Sequence, residues 1–381
     1  MSPAGPPAPL PDRPAPDDGL GDLGALVLRA AAQLAWNARH PREPFAERPD
    51  GLPLDRLYYR SADGWEAPLW RYPPRPGATG DPLVLVHGLG LNHHLLDFRA
   101  GQSLARAAWM RGYDVFLMEH RGDRHAFAPP GARAFDFDDI VDQDLPAALA
   151  RVRELTGAPR CLWLGHAMGG QLLVGHLARQ GGGSIAAGVS LCAPVRFTPP
   201  ASAARLASAA LQLLPGDLRI PSRQLHRALA PMGGPAAWRE LGLDTGGPAR
   251  RGLMLDGVED VSLGLFRQVS RWIARGQIGD RHDSMDLLAA LHGLRTPMLV
   301  LAAGGDRVCP PQAARPLVEA IGLDQARWEE LDASWGHLDV LVGRRAAEQV
   351  YPLLLDFLDE HRQDCWTEEG RAPRRTGPGW R

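Results

Sequence analysis

Apolar residues along this chain follow two periodicities. Largely apolar runs occupy 82–87, 113–118, 162–164, 185–192 and 297–302. Their length and near-absence of polar interruption predict strands buried on both faces, and a weaker strand is expected at 326–331. Between them, apolar positions recur at helical spacing near 104–111, over about 138–156, at 171–177, and across 311–321 and 346–360. Two shorter β-like pieces at 57–59 and 67–72 flank the turn signal Ala62-Asp63-Gly64, predicting an antiparallel hairpin at a sheet edge. Strands alternating with helices predict the α/β class, with a mostly parallel sheet flanked by helices.

One long segment breaks that rhythm. Residues 195–292 carry no comparable buried strand and are rich in Arg, Gly and Pro around helical patches at 203–214 and 261–274. They read as a mostly helical cap inserted into a core made of 19–194 and 293–361. Residues 1–18 form a Pro/Ala/Asp tract without a basic start, expected to be a disordered arm and not a signal peptide. An apolar segment at 20–36, interrupted by Asp22, Arg29 and Gln33, suits an amphipathic helix packed on the domain better than a membrane span. Residues 362–381 read as a flexible tail.

Composition narrows the function classes. The chain has 381 residues with 45% hydrophobic content, enough for a large core. The 42 basic residues, all Arg, nearly balance 44 acidic ones for a formal charge of −2. That balance gives no reason to expect nucleic acid or an anionic membrane surface as partner. Cys161, Cys192, Cys309 and Cys365 show neither close pairing nor metal-type spacing, so reduced thiols and a cytoplasmic location are expected.

The stretch with most chemical content is Leu162-Trp163-Leu164-Gly165-His166-Ala167-Met168-Gly169-Gly170, which reads as a strand, a tight turn and the start of a helix. It has the shape of the G-x-S-x-G elbow, in which a sharp turn lifts the central residue above the sheet and flanking glycines let strand and helix approach. Together with Leu85-Val86-His87-Gly88-Leu89-Gly90, Glu119-His120-Arg121-Gly122, Asp144-Leu145-Pro146-Ala147, Gly304-Gly305-Asp306-Arg307-Val308 and Trp335-Gly336-His337-Leu338-Asp339, it makes residues 54–361 resemble the α/β-hydrolase superfamily. Within it, the acid-lipase-like and polyester-synthase-like branches are the most similar, and the resemblance is weakest across the cap.

That resemblance implies a nucleophile at position 167, a carboxylate at Asp306, a general base at His337, and an oxyanion hole from the backbone N–H groups of Leu89 and Met168. The chain order nucleophile, acid, histidine is the one this fold uses. His93 and His94 are expected to start a helix, lie at the surface or line a pocket, His166 to pack or bond locally, and Cys309 to be a packing residue. No metal or nucleotide cofactor is implied.

Position 167 departs from the pattern, because it is alanine. A methyl group cannot attack a carbonyl, so no acyl-enzyme can form there. Three explanations stand: an engineered serine-to-alanine trap, a natural site that binds its ligand without turnover, or a His337–Asp306 pair acting alone as a base. The expected function is therefore a lipase- or esterase-type protein acting on, trapping or binding an acyl ester or thioester. A non-catalytic ligand-binding or interaction protein on the same fold is the alternative. The expected partner is a small-molecule or lipid-like acyl substrate, with no nucleic acid and no stable membrane insertion.

Overall fold

In the computed structural model, residues 52–132, 134–198, 212, 218–229, 241, 252–253 and 255–367 are described. The disordered arm, the helix at 20–36 and the patch at 203–214 expected from the sequence lie outside them, apart from Gln212.

An eight-stranded sheet organises the molecule. We number its strands β1 (Asp55–Arg60), β2 (Glu66–Tyr72), β3 (Pro82–Val86), β4 (Asp114–Met118), β5 (Cys161–His166), β6 (Ile185–Leu191), β7 (Met298–Ala303) and β8 (Ala326–Leu331). Their spatial order is β1-β2-β4-β3-β5-β6-β7-β8. The β1–β2 and β2–β4 pairs are antiparallel, and every later pair is parallel. Every residue of β3, β4, β5, β6 and β7 is buried, which matches their largely apolar sequence, whereas in β8 at the edge only Ala326 is buried. The expected hairpin, mixed sheet and helical crossovers are all present.

The helices that matter for the site are α1 (Leu104–Met110), α2 (Leu145–Thr156), α3 (Met168–Gln180), α4 (Leu263–Arg275) and α5 (Tyr351–Asp359). Prolines explain where three expected helices differ from their sequence reading. The helix expected over 138–156 opens at Phe137 and carries a wider turn at Ile140–Asp144, with the Leu145 N–H donating to the Ile140 carbonyl. Pro146 lacks an N–H and its ring would clash with the carbonyl four residues back, so the regular ladder cannot run through it. Pro316 likewise splits the segment 311–321, and Pro352 sits in the first turn of α5, where 346–360 divides in two.

Arg121 locks the sheet to this helix. Its buried guanidinium bonds Asp144 Oδ1 at 2.9 and 2.8 Å, bonds Asp63 in the hairpin turn at 2.7 and 2.9 Å, and lies over the Trp65 ring. A side chain with this many donors can bind three elements at once.

At the periphery, the described part of the cap segment also holds a two-residue antiparallel pair, Arg219–Ile220 with Val261–Ser262. The tail does not begin at 362, since Arg362–Trp366 forms a short helix in which Cys365 is buried. Arg362 and the Trp366 ring N–H both reach Asp81 at the start of β3, at 3.0 and 2.8 Å. All four cysteines are free and buried. Among the described residues, no helix is long and apolar enough to cross a membrane.

The close approach of β3 and α3 gives a test. A Cβ on Gly169 would sit 2.3 Å from the Val86 carbonyl oxygen, whereas a Cβ on Gly183 meets nothing within 4 Å. Gly169→Ala is expected to destabilise the fold by about 1–3 kcal/mol or more, and Gly183→Ala to stay within about 0.5 kcal/mol, as read by urea unfolding.

Candidate active site

The elbow is built by backbone contact. A Cβ on Gly165 would fall 2.1 Å from the carbonyl carbon and oxygen of Gly169, so strand β5 and helix α3 meet with no room for a side chain between them. The bend forces Ala167 to φ 49° and ψ −113°, a conformation that glycine adopts freely and that costs an L-residue on the order of 1–3 kcal/mol. Its N–H donates to the Leu191 carbonyl at 2.9 Å, and its carbonyl accepts from Gly170 and Gln171 at 3.0 and 3.1 Å. Both faces of the strained residue are thus pinned. Met168 follows in the first helical turn, where an N–H has no carbonyl one turn earlier to receive it.

Asp306 follows β7, and its N–H donates to the Ala303 carbonyl at 3.1 Å. Its Oδ1 accepts from the Val308 and Cys309 N–H groups, each at 2.8 Å, and its Oδ2 lies 2.7 Å from His337 Nδ1. Burial alone would raise the carboxyl's pKa, but the His337 bond and charge and the two backbone donors outweigh it and hold it below the ordinary value of 3.8. With Nδ1–H given to Asp306, Nε2 is left as the basic nitrogen of His337. The His337 loop is fixed by Asp339, whose Oδ2 accepts from the Gly336 N–H at 2.8 Å.

Gly88, Leu89, Ala167, Met168 and His337 line one cavity of about 870 Å³. Its remaining wall is largely apolar and includes Val258, Val261, Phe266 and Val269, the last two on α4. A Cβ added to Gly88 would lie 3.2 Å from the Ala167 methyl, so the turn after β3 passes directly over the elbow. All five residues singled out from the sequence therefore converge: Ala167, Met168 and Leu89 on one side, His337 with Asp306 behind it on another.

Of the places expected for His93, the helix start is the one found: it opens the short helix His93–Leu95 and is buried there, its ring stacked on Trp70 and both its N–H and its Nδ1 reaching Glu119 Oε1, at 2.8 and 2.6 Å. His166 does not bond locally: its Nε2–H donates to the His337 carbonyl, 171 residues away in sequence, at 3.0 Å. Burial and the neighbouring His337 push its pKa down to about 3, so it is neutral. Burial pushes the Cys309 thiol well above its usual value, consistent with a packing residue. Glu119 escaped the sequence reading as a site residue, although a lone acid ending a buried apolar strand is itself a signal, because such a charge must be paired.

The α/β hydrolase fold family model matches residues 81–343, and the chain belongs to that family. Human lipase member K is 30% identical over 133 residues, which make up 31% of this chain and 33% of the lipase, so the match spans about a third of that curated relative. Solved structures with the same fold include an esterase from Exiguobacterium antarcticum (17% identity, 79% of this chain and 98% of that one, TM-score 0.56). The α/β hydrolase GrgF from Penicillium sp. sh18 (17%, 82% and 100%, TM-score 0.58) and the monoacylglycerol lipase of Paleococcus ferrophilus (16%, 81% and 100%, TM-score 0.56) are similar to the same extent. At family level the scaffold is that of the α/β hydrolase fold.

Two measurements probe this geometry. Ala167→Gly is expected to raise unfolding stability by about 1 kcal/mol, because glycine relieves the strained bend. Asp306 has a depressed pKa, so its contribution to stability is complete above 3.8 and is lost as pH falls through the lowered value. Asp306→Asn is therefore expected to be less stable than the parent at neutral pH, with the gap closing below that value in urea titrations run across pH.

Proposed function

We propose that this protein binds an acyl ester or thioester with a sizeable apolar part, and that it does so without forming an acyl-enzyme. One observation carries the reading: a methyl group, Ala167, stands at the apex of the strained elbow, in the same cavity as His337 and the Asp306 pair. The apolar wall receives the acyl chain, and the Leu89 and Met168 N–H groups receive the carbonyl oxygen. Loss of the nucleophile from a comparable triad costs on the order of a million-fold in kcat, leaving only what oxyanion binding supplies. The four buried free thiols support a reducing compartment such as the cytoplasm.

The Asp306–His337 bond favours a second reading, slow base catalysis on the bound ligand. His337 Nε2 would take a proton from water as the water oxygen bonds to the ester carbonyl carbon. The oxyanion then collapses, the bond to the alkoxide or thiolate breaks, and the leaving group takes the proton from His337. Asp306 orients the ring and stabilises its charge in both steps.

Ala167→Ser is expected to create hydrolysis of p-nitrophenyl acyl esters and covalent labelling by a fluorophosphonate, while the parent binds the same esters with turnover lower by roughly a million-fold. A folded serine variant that stays inert on both short and long acyl esters would remove the ester reading. Residual turnover by the parent that disappears in His337→Ala supports the base pathway; turnover that persists removes it.

A further inference from the structure

Behind the turn that carries Leu89 lies a buried ionic cluster separate from the Asp306–His337 pair. Glu119, at the end of β4, is almost fully buried, and each of its carboxylate oxygens meets a different histidine. Oε1 accepts from the His93 N–H and Nδ1, and Oε2 lies 2.7 Å from His87 Nε2 in a close contact imperfectly aligned for a hydrogen bond. On the opposite side of the ring, His87 Nδ1 lies 2.9 Å from the Gly88 carbonyl oxygen, which also accepts from the Leu91 N–H at 3.3 Å. Both ring nitrogens of His87 therefore face oxygen acceptors. A hydrogen on each nitrogen turns both oxygen contacts from repulsive to attractive, and a ring with two N–H groups is an imidazolium.

The surroundings fit that charge. Burial would disfavour it, but the Glu119 carboxylate and the Gly88 carbonyl outweigh burial and raise the His87 pKa above 6.5. The other groups facing the ring add little positive charge. Burial pushes His120, with its ring 5.1 Å away, down to about 4, and His166 is neutral. Asp123 is pushed well above its usual value by burial and by the Glu119 and Glu259 charges. Arg121 is spent on Asp63 and Asp144, and Arg124 on Glu259.

The Gly88 carbonyl and the Leu89 N–H belong to one planar trans peptide, so they point in opposite directions. We propose that His87, held as an imidazolium by Glu119, anchors the Gly88 carbonyl from the core side and thereby turns and polarises the Leu89 N–H toward the acyl pocket. His87 and Glu119 are positioning residues: neither touches the ligand, and both act through one peptide unit. The imidazolium and its hold on the turn are features of the chain itself, whereas their bearing on an ester carbonyl rests on the proposed function.

The test separates the two. In protein labelled with 15N in histidine and in the backbone, His87 should give two protonated ring nitrogens at pH 7. The Leu89 amide resonance should shift as His87 loses its proton on the alkaline side of 6.5. Glu119→Gln should lower that titration midpoint, and the Leu89 shift should follow it. A neutral His87 ring at pH 7, or a Leu89 amide indifferent to its titration, overturns the proposal whether or not any ester is ever turned over, and the unsubstituted chain suffices if a variant fails to fold. In an active Ala167→Ser background, His87→Gln should lower kcat on the order of tenfold with little change in KM, a fraction of the 10²–10³ lost with an oxyanion donor itself. Unchanged kcat there, with the imidazolium confirmed, overturns the catalytic half alone.

Discussion

The structure depends on backbone packed against backbone at one point, where β3, β5 and α3 come together. Gly165 and Gly169 leave no volume for side chains, and the chain between them must reverse within a single strained residue. Once this bend is made, the first helical turn of α3 is aimed at the mouth of the sheet, and the loop after β3 is laid across it. Strain of this kind persists only when the surroundings over-determine it. Here the sheet takes the N–H of Ala167 through Leu191, and helix α3 takes its carbonyl through Gly170 and Gln171.

Keeping that strain with alanine at the apex is informative in itself. A side chain without a nucleophile has no need to be presented, yet the Asp306–His337 pair, the turn after β3 and the apolar cavity remain assembled around it. On the proposed function, two properties are thereby separated, the geometry that receives an acyl group and the atom that attacks it. A methyl group at position 167 excludes nucleophilic catalysis there.

Two buried ionic clusters flank the elbow, and they are built alike. In each, a carboxylate that accepts N–H donors lies against an imidazole: Asp306 holds His337, and Glu119 holds His93 and faces His87. Such clusters are costly to bury unless every member is paired. Their value lies in directing rings and peptides, since a charged hydrogen bond restricts orientation more than apolar packing does. One cluster fixes the ring of His337, and the other lies against the Gly88 carbonyl at the edge of the pocket.

From the sequence alone, the layered α/β architecture was legible, because runs such as Leu83 to Val86 and Leu299 to Ala302 can only be satisfied when buried on both faces. The elbow, Asp306 and His337 were legible too, since glycine spacing and chain order are local properties. Helix interruptions near Pro146, Pro316 and Pro352 were overlooked within otherwise periodic stretches, though proline chemistry accounts for each. What only the tertiary structure decided were the long-range partnerships: His166 bonding to a carbonyl 171 residues later, His93 drawn inward onto Glu119, and the short helix Arg362–Trp366 tied to Asp81 through Arg362 and Trp366. The physical reason is that a periodic pattern says which face of an element is buried, while a buried polar group can be satisfied by any acceptor the fold brings near, and that choice is made in space, not along the chain.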